Sequence, residues 1–366
     1  MANEFEGSYI DWARRYLVTA KYNIGRSGLP PLTPDEFGLD ISKLPVTVED
    51  FAALRDYEAR VAARYDVAPE CVIATTGSSH ANMLAAMAYV RHGDNVVVEQ
   101  PAYEPLVTLF EYFGAEVRRL QRRFEAGFIP DPGELATLVD SRTKLLVLTN
   151  PHNPTGAHFD ADTMRVLAGA MARVGGYVLV DEIYIDYFFE NTPAPGSSVA
   201  DNVIVTSSLT KVYGLGTLRA GWLLAARDLT AAIRRGIDYS VGNVSFPSCL
   251  LGTMVFDDFE RFKEIARAKV AANRPHLVKF LTETPEIEAV VPPAGIVAFP
   301  RIKDARFDAM TLFHHLLSKY ETTIVPGVFF DKFTRHFRVC VGPPTEIIEP
   351  GLANLKLALA ELAARD

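Results

Sequence analysis

Lys211 is the residue of this chain whose type and surroundings best suit covalent chemistry. It lies in the segment SSLTKVYGLGTLRAGW at residues 207–222, among small hydroxyl residues and glycines. A lysine amine forms a Schiff base with an aldehyde cofactor, and the neighbouring hydroxyls together with Arg219 offer donors for a phosphate on that cofactor. A single lysine is more often an ordinary surface residue, so this interpretation depends on partners elsewhere in the chain.

Partner motifs stand on both sides of Lys211 in a fixed order. NPHNPTG occupies residues 150–156, DEIY residues 181–184, and RAGW residues 219–222. With the S-x-x-K at residues 208–211, this order resembles the class I/II aminotransferases of fold type I, which depend on pyridoxal 5′-phosphate (PLP). The family's motifs read N-P-x-N-P-T-G, D-E-x-Y, S-x-x-K and R-x-G-W. The resemblance extends from about Gly25 to Arg338 and implies PLP as the cofactor.

The resemblance implies a role for each residue that faces the cofactor ring. Lys211 would form the Schiff base and carry protons, and Asp181 would keep the pyridine nitrogen protonated so that the ring can draw in electrons. Tyr184 and Asn153 would share the phenolic oxygen, which favours the phenolate and lowers the pKa of the Schiff base. Taken alone, Asp181 also fits a turn or a helix cap, and Asn153 also fits an Asn-Pro turn.

A second group of residues is suited to the cofactor's phosphate. Gly77, Ser78 and Ser79 precede the helical pattern HANMLAAMAYV, and a helix N-terminus offers free N–H groups and a favourable dipole to an anion. A serine before a helix is also an ordinary N-cap. The resemblance adds Ser208 and Arg219 as further phosphate ligands, because an arginine supplies a permanently charged, bidentate contact.

The resemblance also assigns residues to the substrate and to ring stacking. Arg338 would bind the α-carboxylate with its planar fork, Asn153 would assist, and Gly25 would bring its backbone close to the substrate. Tyr103 aligns with the aromatic residue that stacks on the cofactor ring, although a core tyrosine is the alternative. Arg335 is a weaker candidate for the carboxylate than Arg338.

One segment departs from the family pattern. Relatives carry a tyrosine and a glycine a few residues before a Leu-Arg pair, and Leu54-Arg55 is present here. The preceding residues 43–51, KLPVTVEDF, contain neither. In the family that tyrosine reaches the phosphate of the neighbouring subunit's cofactor. The departure leaves the contact between subunits, and the usual set of substrates, open.

Short apolar runs alternate with helical patterns in the middle of the chain. This alternation predicts an α/β fold: a mainly parallel central sheet with helices on both faces, accompanied by a smaller α+β domain. Ligands bind such sheets beyond the carboxyl ends of the strands, where the motifs fall. The predicted strands are residues 71–74, 95–99, 144–149, 177–180 and 203–206. The predicted helices include residues 81–90 and 161–173.

The length of 366 residues predicts one large domain and one smaller one. Residues 1–48 would form an N-terminal segment that joins the small domain, residues 49–274 the large PLP-binding domain, and residues 275–366 the small C-terminal domain. A long helix is predicted over residues 256–282, and strands over residues 296–300 and 335–341. Residues 29–34, LPPLTP, are predicted to be extended rather than helical.

Composition narrows the classes of function. A net charge of −8 without a long basic run argues against nucleic-acid binding. Three dispersed cysteines without CxxC spacing favour reduced thiols over disulfides or a metal site. No stretch approaches the ~20 apolar residues of a membrane span, and residues 1–6 lack a signal-peptide core. A cytoplasmic enzyme without a metal is expected, and the resemblance implies a homodimer.

The sequence therefore predicts a PLP-dependent aminotransferase that moves an amino group from an L-amino acid to a 2-oxo acid by a ping-pong mechanism through Lys211. Other PLP chemistry on the same fold remains open, because β-elimination, cyclisation and oxidation of amino acids need the same lysine and the same ring. A PLP-sensing transcription regulator is not expected, since about 20 residues before Gly25 are too few for a DNA-binding module.

Overall fold

The structure is a computed structural model, and it describes residues 8–17, 19–38, 40–42, 44 and 48–365. The helices within these ranges are α1 (Tyr9–Tyr16), α2 (Pro34–Phe37), α3 (Phe51–Tyr65), α4 (Ser78–Tyr89), α5 (Pro105–Tyr112), α6 (Pro132–Leu138), α7 (Ala161–Ala172), α8 (Arg227–Ser240), α9 (Phe246–Asp257), α10 (Phe259–Glu283), α11 (Ala309–Tyr320) and α12 (Thr345–Ala363). The strands are β1 (Tyr22–Asn23), β2 (Val72–Thr75), β3 (Asn95–Gln100), β4 (Glu116–Gln121), β5 (Thr143–Thr149), β6 (Tyr177–Asp181), β7 (Val203–Ser208), β8 (Gly221–Leu224), β9 (Ile287–Glu288), β10 (Val297–Ala298), β11 (Arg301–Ile302), β12 (Thr322–Thr323), β13 (Val325–Pro326) and β14 (Phe337–Cys340).

Seven strands form the central sheet in the order β2-β8-β7-β6-β5-β3-β4. Strand β8 runs antiparallel to both β2 and β7, whereas the pairs among β7, β6, β5, β3 and β4 are parallel. The parallel strands therefore present their carboxyl ends at one edge, the place where ligands bind in such sheets. The predicted α/β class with a mainly parallel sheet is confirmed, as are the five predicted strands to within two residues at each end.

Helices cover both faces of this sheet because its strands are apolar on both sides. In β3, Val96 and Val98 pack into one hydrophobic cluster with helices α4 and α5, while Val97 belongs to the cluster on the opposite face. Successive side chains of a strand point to opposite faces, so a continuous run of valines supplies two cores at once. Both cores are closed to solvent. Their burial stabilises the pairing of the strands, and this pairing determines where the strand ends lie.

The remaining strands form small sheets beside the central one. Strands β10, β14 and β13 make a three-stranded antiparallel sheet, β9 pairs with β11, and β1 pairs in parallel with β12. The pairing of β1 with β12 attaches the N-terminal segment to the C-terminal part of the chain. The boundaries predicted for the domains, residues 1–48, 49–274 and 275–366, stay a prediction.

Three of the predicted elements differ from the structure. The helix predicted over residues 256–282 is two helices, because α9 ends at Asp257 and α10 begins at Phe259. The strand predicted over residues 296–300 is shorter and is followed by β11, since Pro300 has no N–H for a ladder. The segment at residues 29–34 is extended up to Thr33, whose side chain caps a short helix that begins at Pro34. Proline suits the first helical turn.

Within the described ranges, none of the helices combines the length and apolarity needed to cross a membrane. The same ranges contain no group of three or more histidine, cysteine and carboxylate side chains that could hold a metal ion. The three cysteines are free thiols.

A buried ion pair fixes the loop that follows β5. Arg122 donates to Glu99 at 2.6 Å, and their side chains are 0% and 1% exposed. The second oxygen of Glu99 accepts from the Thr149 backbone N–H at 2.7 Å, and Arg122 also donates to the Thr149 carbonyl at 3.2 Å. The pair thus holds both backbone groups of the residue at which β5 ends, immediately before the loop that carries Asn153.

Replacing Arg122 by leucine is expected to lower the free energy of unfolding by about 3–5 kcal/mol, because it leaves the Glu99 carboxylate buried without its partner. Chemical denaturation monitored by circular dichroism measures the loss. Arg60→Ala is the matched control, since Arg60 pairs with Asp257 at 2.6 Å where both side chains are about half exposed, and exposed pairs contribute little. A similar loss in both variants would contradict the expectation.

Candidate active site

A cavity of about 440 Å³ opens at the carboxyl ends of the parallel strands. Its walls come from the loops after β2, β3, β5, β6 and β7, from the start of α4, and from the N-terminal segment. The lining residues are Tyr9, Ser27, Ser78, Ser79, Asn82, Met83, Tyr103, Pro105, Leu106, Leu109, Thr149, Asn153, Asp181, Ile183, Tyr184, Thr210, Lys211 and Arg219. The structure therefore brings together eight of the residues that the sequence predicted: Ser78, Ser79, Tyr103, Asn153, Asp181, Tyr184, Lys211 and Arg219.

Lys211 reaches the cavity from the loop after β7. Its Nζ donates to the Ser27 hydroxyl at 3.3 Å, and its carbonyl accepts from the Leu29 N–H at 2.9 Å and from the Tyr187 hydroxyl at 3.1 Å. Burial, reinforced by the positive charge of Arg338, lowers the pKa of the amine to about 8. A larger fraction of the amine is therefore neutral near physiological pH than for an exposed lysine, and the neutral amine is the nucleophile and base.

Asp181 stands where β6 ends, with its carboxylate turned into the cavity. It accepts from Asn82 Nδ2 at 3.1 Å and from the Ile183 N–H at 3.1 Å. Asn82 is itself oriented by Thr206, whose hydroxyl donates to Asn82 Oδ1 at 2.8 Å. Burial raises the pKa of Asp181 to about 6. An acid held this firmly in a buried place is stabilised as the anion by a cationic partner, and a protonated ring nitrogen is such a partner.

The start of helix α4, which lines the cavity, is suited to an anion. Helix α4 begins at Ser78 after Gly77, and no described side chain caps it, whereas Asp160 caps α7 by accepting from Thr163 N at 2.9 Å. The first N–H groups of α4 thus stay open to a ligand. Arg219 lies beside them, in a left-handed conformation with φ 53°.

Gly77 explains how Arg219 comes so close to the helix. A Cβ at Gly77, which has φ 88°, would lie 2.5 Å from Arg219 Nη2. The same guanidinium nitrogen donates to the Thr76 carbonyl at 2.9 Å. The absence of a side chain at Gly77 therefore lets a guanidinium and a helix N-terminus face one small volume, which fits a phosphate.

Arg338, on β14, is fully buried behind the cavity wall. Its Nη1 donates to Asn153 Oδ1 at 3.0 Å, and its Nη2 donates to the Tyr9 hydroxyl at 2.8 Å and to the Gly25 carbonyl at 2.9 Å. Its Nε finds no hydrogen-bond partner among the described residues. A buried donor without a partner is costly, and a carboxylate that bridges Nε and Nη2 would satisfy it by displacing the Tyr9 hydroxyl.

Aromatic rings form the rest of the wall. Tyr184 is buried and stacks on Tyr187 with ring centroids 6.1 Å apart, and burial raises the pKa of its phenol. Tyr103 packs edge-on against Tyr9 at 5.5 Å between centroids, and burial raises the pKa of Tyr103 as well. Neutral phenols at these places can donate hydrogen bonds to an anionic oxygen on a ligand.

Four of the predicted residues lie beside the cavity and do not line it. Gly77 precedes the first residue of α4, the Gly25 carbonyl accepts from Arg338, and Arg338 donates to the lining residue Asn153. Ser208 is buried at the end of β7, where its Oγ accepts from the Thr210 N–H at 3.3 Å. Among the lining residues that the sequence reasoning missed are Tyr9, Ser27 and Asn82. Asn82 had a usable signal, because it lies one turn after Ser78 on the same face of a helix.

The fold is that of the fold-type I PLP enzymes, and the cavity at the carboxyl edge of its sheet is lined by a lysine, a buried acid and a helix N-terminus beside a guanidinium. The sequence model of the family "Aminotransferase class I and II" matches residues 48–355, and the chain belongs to that family.

Individual relatives add detail. The chain is 33% identical over 357 residues to the capreomycidine synthase of Streptomyces vinaceus, covering 94% of this chain and 91% of that one. It is 27% identical over 271 residues to an aspartate aminotransferase of Pyrococcus horikoshii, covering 73% and 69% of the two chains. Among solved structures, it resembles the PLP-dependent cyclase OrfR with a TM-score of 0.85 and 25% identity, covering 99% of both chains.

PLP is the cofactor of this enzyme family, and the described residues fit it. Ser78, Ser79 and Arg219 would hold its phosphate, Asp181 its ring nitrogen, and Lys211 its aldehyde carbon. Two observations support the fit independently of the family: the open N-terminus of α4 faces a guanidinium across a glycine, and a buried acid shares the cavity with a lysine of lowered pKa.

Arg338→Lys is expected to raise KM for an amino-acid substrate at least tenfold, or about 1.4 kcal/mol, because an ammonium cannot form the bidentate contact of a guanidinium. Steady-state kinetics measure the change. Arg335→Ala is the control, since Arg335 lies on the surface three residues earlier. An unchanged KM in Arg338→Lys, or an equal rise of KM in Arg335→Ala, would contradict a role of Arg338 in substrate binding.

Proposed function

We propose that the chain is a PLP-dependent enzyme that binds an L-amino acid by its α-carboxylate and removes the proton from its Cα. One observation carries the proposal: the Lys211 amine, with its pKa lowered to about 8, lines the same cavity as Asp181 and Asn153, and Asn153 is held by Arg338 at 3.0 Å. A base, an acid and a carboxylate site thus surround one volume.

The chain's residues divide the work in this proposal. Arg338 and Asn153 bind the carboxylate and orient the Cα–H bond, and the Gly25 carbonyl holds the guanidinium in place. Lys211 Nζ takes the proton from Cα as general base and gives it up again as general acid. Asp181 keeps a proton on the ring nitrogen. The cofactor, when bound, supplies the electron sink for the carbanion at Cα.

The finer proposal is transamination, in which an L-amino acid gives its amino group to the enzyme and a 2-oxo acid removes it in a ping-pong cycle. The family match over residues 48–355 supports it. So does a solved PLP-dependent aminotransferase from Streptococcus suis, with a TM-score of 0.89 and 25% identity over 98% of both chains.

A second candidate, cyclisation of an amino acid, has a specific observation in its favour. The relative that is 33% identical across 94% of the chain is a capreomycidine synthase, and OrfR is a PLP-dependent cyclase. In this candidate a leaving group X departs from Cβ, a side-chain N–H group adds to the same carbon, and HX is released. The lack of a tyrosine in residues 43–51, of which residues 43 and 45–47 lie outside the described residues, is also consistent with a substrate set unlike that of common aminotransferases.

A single-turnover experiment separates the two candidates. The PLP-loaded protein is mixed with each of a panel of amino acids, some of them carrying a leaving group on Cβ and an amine on the side chain. The visible absorbance of the cofactor and the products are followed together. Stoichiometric 2-oxo acid with lasting loss of the visible band supports transamination. A cyclic amino acid with return of the band supports cyclisation, and a band that responds to no amino acid overturns both.

We also propose that the enzyme is a homodimer, as the resemblance to the family implies, and that it is cytoplasmic. Apolar side chains on the large-domain surface support the dimer: Phe51 packs edge-on against Phe246 at 5.0 Å between centroids, yet Phe51 is 45% exposed and Tyr239 is 79% exposed. Light scattering after size-exclusion chromatography tests it, and a mass near 40.4 kDa would contradict it.

A further inference from the structure

The N-terminal segment lies directly on the candidate catalytic lysine. Ser27 Oγ accepts from Lys211 Nζ at 3.3 Å, and the Leu29 N–H donates to the Lys211 carbonyl at 2.9 Å. Between them, Gly28 is so close that an added Cβ would lie 3.1 Å from Lys211 Cδ. Residues 27–29 therefore contact both the side-chain amine and the backbone carbonyl of Lys211, although they are separated from it by more than 180 positions.

Ser27 also shares the cavity with a second residue of the site. Its side chain is buried and lines the cavity together with Tyr184. A hydroxyl has one hydrogen to donate, and Ser27 Oγ accepts from Lys211 Nζ. The hydrogen of Ser27 is therefore available to an acceptor in the cavity.

Other charged groups also act on the Lys211 amine. Burial is the largest influence on its pKa, followed by the positive charges of Arg338 and Arg26, and Cys340 and Asp181 act in the opposite direction. Ser27 is the side chain to which Nζ donates a hydrogen bond. It is therefore suited to fix where the amine points, a task that long-range charges do not perform.

We propose that Ser27 is a positioning residue for Lys211, which holds the free amine against the cavity wall beside Tyr184 so that it meets the Cα–H bond of the substrate. This inference rests on the proposed function of Lys211 as the base. A lysine side chain has four rotatable bonds, and a displacement of about 1 Å at a reacting atom costs up to about 100-fold in rate. The Ser27 hydroxyl, as a hydrogen-bond acceptor at the end of the lysine side chain, restricts this rotation.

Ser27→Ala is expected to lower kcat about tenfold or more while KM stays within about twofold, because substrate binding depends on Arg338. Ser27→Thr retains the hydroxyl and should recover most of the rate. Ser198→Ala is the matched control, since Ser198 donates to the Pro195 carbonyl at 2.8 Å away from the cavity. A thermal melt of each variant excludes a general loss of folding.

A readout that needs no substrate tests the contact itself. In the protein freed of cofactor, the rate at which Lys211 reacts with added PLP rises with pH as the amine loses its proton. An acceptor stabilises the ammonium more than the neutral amine, so Ser27→Ala should move the midpoint to lower pH, and Ser27→Thr should leave it near the native value. Unchanged midpoint and kcat in Ser27→Ala would overturn the inference.

The two failures are distinguishable. If Lys211→Ala, loaded with PLP, turns over amino-acid substrates like the native protein, the proposed function of Lys211 itself is wrong. If Lys211→Ala is inactive but Ser27→Ala matches the native protein in kcat and in the pH midpoint, only the role of Ser27 is wrong.

Discussion

Lys211→Ala is expected to lower turnover by at least about 10³-fold, because proton transfer by a positioned base contributes roughly 10²–10⁴-fold and the covalent attachment of the cofactor is lost as well. The variant should still bind PLP through its phosphate, but without the visible absorbance of the lysine-linked cofactor. Absorbance spectra and borohydride reduction followed by peptide mass mapping measure the attachment, and product assays measure turnover.

Lys279→Ala is the control for that experiment, since Lys279 is exposed on α10. It should keep the native spectrum and rate. Covalent attachment to a lysine other than Lys211 after reduction would contradict the assignment, as would full turnover in Lys211→Ala.

Asp181→Asn is expected to lower kcat by about 10²–10³-fold, the loss typical of removing a preorganised electrostatic contact. The amide keeps the size of the side chain but cannot hold a proton on the ring nitrogen by charge. Burial raises the pKa of the free Asp181 carboxyl to about 6, so in the cofactor-free protein this acid takes up a proton below that pH. A cationic ring should hold it ionised to lower pH.

Asn82→Ala tests the support of the same carboxylate. Asn82 donates to Asp181 at 3.1 Å, and its loss should cost much less than the loss of the charge. Rates measured across pH for both variants check the order. An Asp181→Asn protein with the native rate would show that the ring nitrogen needs no anion here.

The sheet and the motif loops were predictable because their signals are local. The valine run of β3 is apolar on consecutive positions, and NPHNPTG, DEIY and S-x-x-K each stand where a strand ends. The contacts that complete the site are not local. Tyr9 meets Arg338 across 329 positions, and Ser27 meets Lys211 across 184. Tyr9 lies in an amphipathic helix, and Ser27 lies between a basic residue and a glycine. Neither setting has a sequence pattern that predicts such distant partners.

The order of the site residues along the chain implies an order in which the parts of the site form. The predicted phosphate cradle, the Asp181 carboxylate and Lys211 all fall between residues 77 and 219, whereas the Arg338 guanidinium belongs to β14, near the end of the chain. Domains form N-terminal first during synthesis. We therefore expect a nascent chain on the ribosome to become able to capture the vitamin-derived cofactor well before it can recognise an amino acid. Such an intermediate would bind the aldehyde of the cofactor before the substrate carboxylate has its binding site. The bound aldehyde would therefore not yet react with an amino acid at that site.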